Sequence, residues 1–526
     1  MKLGLVPVAL AIRRLLGRIR RCLPLPTKAE ISRNLLVAQV VIAGATADGQ
    51  DKSLATSSAA YAPPPSQATG VSPGLANQWL RQQSPGFEPW DLGGQVRLRY
   101  ELKENGGVYP NFDFRRTGVD NDNSYLLLRE KVHLGYTPCS WFSVFGEARD
   151  SSSVGDERHP SPDADQLDLH QAFVRLGDSS QFPITAKIGR QELIYGDERL
   201  VGGADWANIP RAFDAVKFRF ENAHLWVDAF AGRVVLPVQH HFNEPNDYDW
   251  FSGVYASSTN LAPRQEAQIY FLSRDASAKA ATAAAGSLYN LPSARDIFTL
   301  GTRVKSLPGQ WNGWDYTVEV AGQLGSINLQ VPPAGRHRLD HEALAASAAC
   351  GFTWTEVVGA PRLGLEYNFA SGDADPRDGK NQTFENLFPT NHKLYGYMDL
   401  VGWRNIHNPR LSASIKPAKA LLLTLDYHLF WLADTHDFFY SEGGLARGAN
   451  GPASPGEPVS YGRNPGFNSF IGSELDLETT YSIKPWAIVR AGYGHFFIGD
   501  YIRSSLANVG GARDADWLYI QTTFNF

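Results

Sequence analysis

Trp517-Leu-Tyr-Ile-Gln-Thr-Thr-Phe-Asn-Phe526 closes the chain. Leu518, Ile520, Thr522, Phe524 and Phe526 share one parity, and Trp517, Tyr519, Gln521, Thr523 and Asn525 the other. Successive side chains of a strand point to opposite faces, so this stretch reads as an amphipathic strand. A terminal alternating strand with an aromatic last residue is how outer-membrane β-barrels finish. There the last strand pairs with the first and leaves no unpaired edge in lipid.

The same period of two recurs upstream. Val96, Leu98 and Tyr100 oppose Gln95, Arg97, Arg99 and Glu101. Further alternating runs span 314–322, 362–369, 421–431 and 473–483. Many reach eight to twelve residues, which suits a tilted membrane strand better than the roughly five to six of a soluble sheet. The chain has 526 residues, 43% of them hydrophobic, with no apolar run near the roughly 20 a membrane helix needs. A barrel escapes that criterion because only alternate residues face lipid. The expected fold is therefore all-β: a transmembrane antiparallel barrel. About 17 candidate strands are countable, and the even-number rule for bacterial barrels makes the expectation 18. Long polar segments at 151–165, 236–264, 275–293, 371–410 and 441–470 read as outer loops; Thr137–Ser140 and Lys416–Lys419 read as short periplasmic turns.

Before the barrel, residues 1–47 read as an export segment. A basic stretch precedes an apolar run, Leu35 to Ala45, and Ala45-Thr46-Ala47 is a small-residue cleavage pattern. That segment holds eight Lys/Arg and one Glu. The remainder is acidic, with 41 basic and 53 acidic residues against 49 and 54 in the whole chain, which argues against a nucleic-acid partner. Residues 48–86, rich in Ala, Ser and Pro, read as a disordered linker, and 87–526 as the barrel.

Assigning the polar parity to the lumen gives a candidate substrate-binding surface. The first half of the barrel contributes Arg97, Arg99, Arg129, Lys131, Arg149, Arg175, Lys187, Lys217, Arg219, Arg303 and Lys305, with Arg190 at a strand end. The second half contributes Asp315, Glu319, Glu366, Asp426, Glu474, Asp476 and Glu478, with Arg362, Lys416 and Arg490 as its main bases. A basic wall facing an acidic one sets up a transverse field. Arginine binds a carboxylate with a planar two-pronged donor, so a row of weak sites would let a polyanionic chain slide. The competing view is that these charges pair across the barrel and only hold its shape.

Three segments carry a family resemblance. They are Lys187-Ile-Gly-Arg-Gln-Glu-Leu-Ile-Tyr-Gly-Asp-Glu-Arg-Leu-Val-Gly202 with Arg211-Ala-Phe-Asp-Ala215; Tyr367-Asn-Phe-Ala-Ser-Gly-Asp-Ala-Asp375 with Asn386–His392 and Tyr395–Leu400; and Gly472–Glu478 with Ala491–Phe497. Together they resemble the alginate export family of outer-membrane barrels, over essentially all of 90–526. The resemblance implies an 18-stranded monomeric porin for an anionic polysaccharide or oligosaccharide, without fixing alginate as the cargo. The implied partners are that saccharide, outer-membrane lipid and, through the terminal strand, the barrel-assembly machinery. No cofactor is expected.

Two rivals are a porin for other small solutes and an outer-membrane barrel hydrolase, although no Gly-x-Ser-x-Gly elbow occurs. Asp373-Ala-Asp-Pro-Arg-Asp-Gly379 departs from an EF-hand loop and reads as a solvated turn rather than a calcium site. The loop that holds it, 371–410, is long enough to fold into the lumen as a plug, with Asn391, His392, Tyr395 and Tyr397 as groups that could contact sugars. His240 and His241 with Asp247 and Asp249 would need a loop to converge, and no metal site is assigned.

Overall fold

The computed structural model describes residues 74–118, 120–283, 293–331, 335–448 and 461–526. The export segment 1–47 and most of the linker lie outside them. Eighteen antiparallel strands form the wall, each paired with the next in sequence. They are β1 Trp90–Glu104, β2 Asn123–Cys139, β3 Phe142–Val154, β4 Asp165–Leu176, β5 Ile184–Gln191 and β6 Phe213–Glu221. Then come β7 Leu225–Leu236, β8 Glu244–Ser258, β9 Gln265–Ala276, β10 Arg295–Ser306, β11 Trp314–Val331 and β12 Gly335–Thr353. The last are β13 Arg362–Ala370, β14 Ile406–Ala418, β15 Leu421–Leu432, β16 Phe470–Lys484, β17 Ala487–Ile498 and β18 Ala515–Asn525. A two-residue strand, Lys380–Asn381, runs parallel to β12 from within a loop.

The terminal strand does what its pattern predicts. β18 pairs with β1 from Gln95↔Asn525 to Glu104↔Asp516, which closes the sheet. Leu518, Ile520 and Phe524 point outward and are exposed, as are Leu98 and Tyr100 across the seam. Arg97, Arg99, Glu101, Trp517 and Tyr519 point inward and are buried. The polar parity therefore faces an enclosed interior and the apolar parity the outside, the arrangement of a membrane barrel.

Connections alternate in length. The chain turns in a few residues at 140–141, 222–224, 419–420 and 485–486, at the end that also holds both barrel termini. At the other end it makes longer excursions, of which 192–212, 371–405 and 433–469 matter most.

Two expectations fail here. Residues 236–264 are not one long loop, because β8 occupies Glu244–Ser258 and is paired with β7 and β9. Its inward face carries buried Phe251 and Tyr255 between Asp249 and Ser257, so the polar parity that marks a lumen-facing strand is interrupted. The linker also ends in structure: α1 spans Leu75–Gln83 and folds back on β1. Asn77 donates to Asp91 at 2.6 Å and accepts from the Leu92 amide at 2.7 Å, which fixes the helix across the short-turn end. Two further short helices, α2 Ala278–Ala283 and α3 Asp500–Leu506, lie in the long connections.

If the outward face meets hydrocarbon, a charge at the middle of the seam strand is costly. Ile520→Arg is expected to lower folding stability in lipid vesicles by about 2–4 kcal/mol, read from urea unfolding followed by tryptophan fluorescence.

Candidate functional site

The interior is not an open tube. Two long connections dive into it, 192–212 between β5 and β6 and 371–405 between β13 and β14. They meet in a short parallel bridge, Val201↔Phe388. The Gly202 amide donates to the Phe388 carbonyl at 2.8 Å, and the Phe388 and Thr390 amides donate to Leu200 and Glu198 at 2.9 Å. Arg211 ties the knot by donating to the carbonyls of Gly202, Phe388 and Pro389 at 2.8, 2.7 and 2.9 Å. Only a glycine fits at 202, where a Cβ would stand 2.3 Å from Thr390 Oγ1. The knot rests on the inward aromatics, with the Phe388 ring 5.2 Å from Phe213 and 4.9 Å from Phe251.

The upper basic wall holds the first loop by its carbonyls. Arg97 donates to Asp205 and Ala207 carbonyls at 2.7 and 2.9 Å, Arg99 to Trp206 at 2.7 Å, and Arg129 to Asp205 at 2.9 Å. Arg149 is paired with Asp165 and bonded to Ser151, whose hydroxyl donates to the Asn208 carbonyl. The acidic wall holds the second loop by its amides. Glu474 accepts from the Met398 amide at 2.9 Å and Asp476 from the Tyr397 amide at 3.3 Å. The approach is close because Gly396, at φ +95°, leaves room for the Glu474 carboxylate, which a Cβ would meet at 2.5 Å. Glu478 accepts from the Tyr519 hydroxyl at 2.6 Å.

Loop side chains reach the wall as well. Asp197 pairs with Arg303, whose Nε lies 3.0 Å away, and stands 4.0 Å from Lys305. Arg199 pairs with Glu366 at 2.7 Å, and Arg410 bridges Glu366 and Asp426. Glu385 sits among three guanidiniums, Arg295 at 2.7 Å, Arg404 at 3.3 Å and Arg274 at 3.6 Å. Asp205 pairs with Arg129 at 2.9 Å and Lys131 at 3.7 Å, and its carboxylate is open to the lumen.

Nearer the short-turn end the wall is less covered. Arg175, Lys187 and Lys217 stand in register on three adjacent strands, Arg175↔Lys187 and Lys187↔Lys217. All three are partly exposed. Lys187 lies over the Phe173 ring at 3.7 Å, and Lys217 and Arg219 share Asp228. Arg362 pairs with Asp315 at 2.6 Å, and Arg490 is exposed.

One assignment is corrected. Arg190 shares the parity of the exposed Ile188 and pairs at 2.8 Å with Asp214, which shares the parity of the exposed Val216. Lys187 and Arg190 are three residues apart and cannot share a strand face. Arg190 therefore belongs to the outer face at the strand end, not to the lumen. The remaining sequence-chosen residues keep their inward parity.

Sequence reasoning missed Asp205, Glu385, Arg274, Arg295 and Asn208. The first two and Asn208 sit on loops, where no periodicity tells inside from outside. Asn208 is fully buried, donating to Leu128, Ser152 and Asp163 carbonyls. The histidine–aspartate group does not assemble, since Asp247 pairs with Arg233 and Asp249 with Arg274.

Above the knot a cavity of about 480 Å³ opens among the outer loops. Eight Arg or Lys line it against six Asp or Glu, so its balance is positive. Burial, then Asp399, pushes the Glu442 carboxyl there up to about 7, which weakens the acidic side further.

This closed 18-stranded barrel with loops folded inward has the architecture of an outer-membrane porin. The chain belongs to the alginate export family, whose model matches residues 88–515. No curated protein matches it. Among solved structures it is similar to OccAB1 of Acinetobacter baumannii, with a TM-score of 0.52 and 12% identity, covering 84% of this chain and 97% of that one. It is also similar to OpdQ of Pseudomonas aeruginosa, with a TM-score of 0.50 and 11% identity, covering 83% and 97%. At that identity the likeness shows the fold alone.

The 373–379 turn divides. Asp375 and Asp378 are exposed and cap their own turns, whereas Asp373 is 1% exposed with no side-chain partner on either oxygen. Burial, then Asp437 on the neighbouring outer loop, pushes the Asp373 carboxyl up to about 6. Asp437 is pushed up by burial. An acid that holds its proton more tightly when folded stabilises the packed loops at low pH. That contribution falls as pH rises from its ordinary value near 3.8 to about 6. Limited proteolysis of the outer loops should be several-fold slower at pH 4 than at pH 8 in protease-matched assays, and Asp373→Asn should remove most of the difference.

Proposed function

We propose that this protein sits in a bacterial outer membrane and passes an anionic, alginate-like poly- or oligosaccharide through its lumen along arginine and lysine side chains. The observation that carries the reading is the register row Arg175, Lys187 and Lys217. Like charges directly opposite one another destabilise a sheet. Three placed side by side on a partly exposed stretch of wall, with Lys217 sharing Asp228 at 3.3 Å, offer a passing carboxylate a continuous run of cations. Each site is weak on its own, which suits a ligand that must also leave. Buried Arg97 and Arg99 play a different part: they hold the inward loop in the passage. The terminal strand ending at Phe526 would serve recognition by the barrel-assembly machinery, and one chain would suffice for a pore.

The test is electrical. In planar bilayers the purified porin is expected to prefer anions and to be blocked reversibly by oligouronates. Lys187→Glu combined with Lys217→Glu should change the anion-to-cation permeability ratio by roughly tenfold towards cations. An unchanged ratio with unimpaired conductance rejects the row as the conducting surface. Turnover of a glycan by the pure protein would favour the hydrolase instead.

A further inference from the structure

Three carboxylates of the inward loops lie on three cation groups of the wall: Asp205 on Arg129 and Lys131, Asp197 on Arg303 and Lys305, and Glu385 on Arg295 and Arg274. They are not equally held. The Asp197 and Glu385 side chains are largely buried, whereas Asp205 is 69% exposed although its partner Arg129 is 1% exposed. A fully enclosed guanidinium is thus met by a carboxylate that water reaches.

The backbone at this point does not depend on that ion pair. Arg97, Arg99 and Arg129 hold the carbonyls of residues 205–207. Ser151 holds the Asn208 carbonyl at 2.7 Å, and the Ala204 amide donates to Thr390 at 2.9 Å. The Asp205 side chain can therefore rotate away while its loop stays in place. Lys131 keeps Glu147 at 3.9 Å when Asp205 leaves, but Arg129 would be left as an enclosed charge without a counter-ion, which is costly. A second carboxylate arriving as the first departs keeps the charge count and the hydrogen bonds constant.

We propose that Arg129 and Lys131 form a carboxylate-binding station in the lumen, occupied at rest by Asp205 as an internal stand-in, and that a uronate carboxylate of the passing saccharide exchanges with it. The station lies on β2, across β3 from the Arg175–Lys187–Lys217 row, so a uronate chain on that row would meet it next. This rests on the saccharide reading above. It adds the site, the displaced group and the reason the loop does not have to open.

The experiment uses the full-length porin in planar bilayers, with sodium glucuronate as probe and glucose as the neutral control of equal size. Asp205→Asn keeps shape and the backbone contacts but withdraws the competing charge. The half-blocking glucuronate concentration is expected to fall about threefold or more. Glucose should be unaffected, and the reversal potential in a KCl gradient should move towards anions. Adding Lys131→Gln to the same variant should return the block to the wild-type level or weaker. Heat-modifiable migration on a gel confirms that each variant remains a folded barrel. If glucuronate blocks the wild type but Asp205→Asn binds it no more tightly, the exchange station is wrong and the saccharide reading stands. If glucuronate blocks neither protein, both fall.

Discussion

The structure depends on a division of hydrogen-bonding labour between two walls of one barrel. A peptide segment that enters an enclosed lumen brings both donors and acceptors, and each must find a partner. Here Arg97, Arg99 and Arg129 take up the carbonyls of 205–207, while Glu474 and Asp476 take up the amides of 397 and 398. A wall of one sign could not do both. The two loops then bond to each other along Val201 and Phe388, so the knot spans the lumen and is clamped at both ends.

That arrangement explains why an apparent charge imbalance is not a liability. Basic side chains crowd β1 to β6 and acidic ones crowd β13 to β16, which in an empty tube would leave like charges facing one another across few ångströms. Wall carboxylates carry part of the compensation, as Asp165 and Asp228 do, and the loops the rest: Asp205 goes to β2, Asp197 and Glu385 to the cations of β9 and β10, and Arg199 to Glu366. Electrostatics and passage geometry are thereby one problem. Substitutions of Arg97 or Arg99 would move the loops before they changed any ligand contact, whereas the row on β4 to β6 is linked less to the knot and more to water.

Much of the barrel was legible because period two is unforgiving. Slipping a strand by one residue would turn every leucine into the lumen, so parity alone placed Arg97, Arg129, Glu474 and their neighbours correctly. The closing pairing of the last strand with the first followed from the same pattern. Arg190 was not legible in the same way, because it stands at a strand end among the charges Glu192, Asp197, Glu198 and Arg199, where parity gives way to loop. Of the loops, length alone marked 371–410 as able to fold inward, and the other was beyond reach. Nothing in the run from Glu192 to Ala212 distinguishes a segment that hangs outside from one that folds in, and Asp205 owes its role to a contact with a strand some 75 positions earlier.

The missed strand β8 carries a more general lesson about barrels with inward loops. Its inward face holds Phe251 and Tyr255, the adjoining β7 and β9 add Phe230 and Tyr270, and β6 adds Phe213, all buried. Aromatics interrupt the polar residues Asp249 and Ser257 on that face, so the alternation that marks a membrane strand is broken. Yet that is what docking demands, since Phe388 and its neighbours need an apolar seat and the lipid face must stay apolar too. The same holds for Trp517 and Tyr519 on the terminal strand, beneath Trp206. Within a chain already known to close into a barrel, loss of alternation therefore has a location and a meaning: it marks the arc of wall on which a loop is seated. Charged residues on preserved alternation serve either to clamp a loop by its backbone, as Arg97 and Glu474 do, or to face the water of the lumen, as Arg175 and Lys187 do.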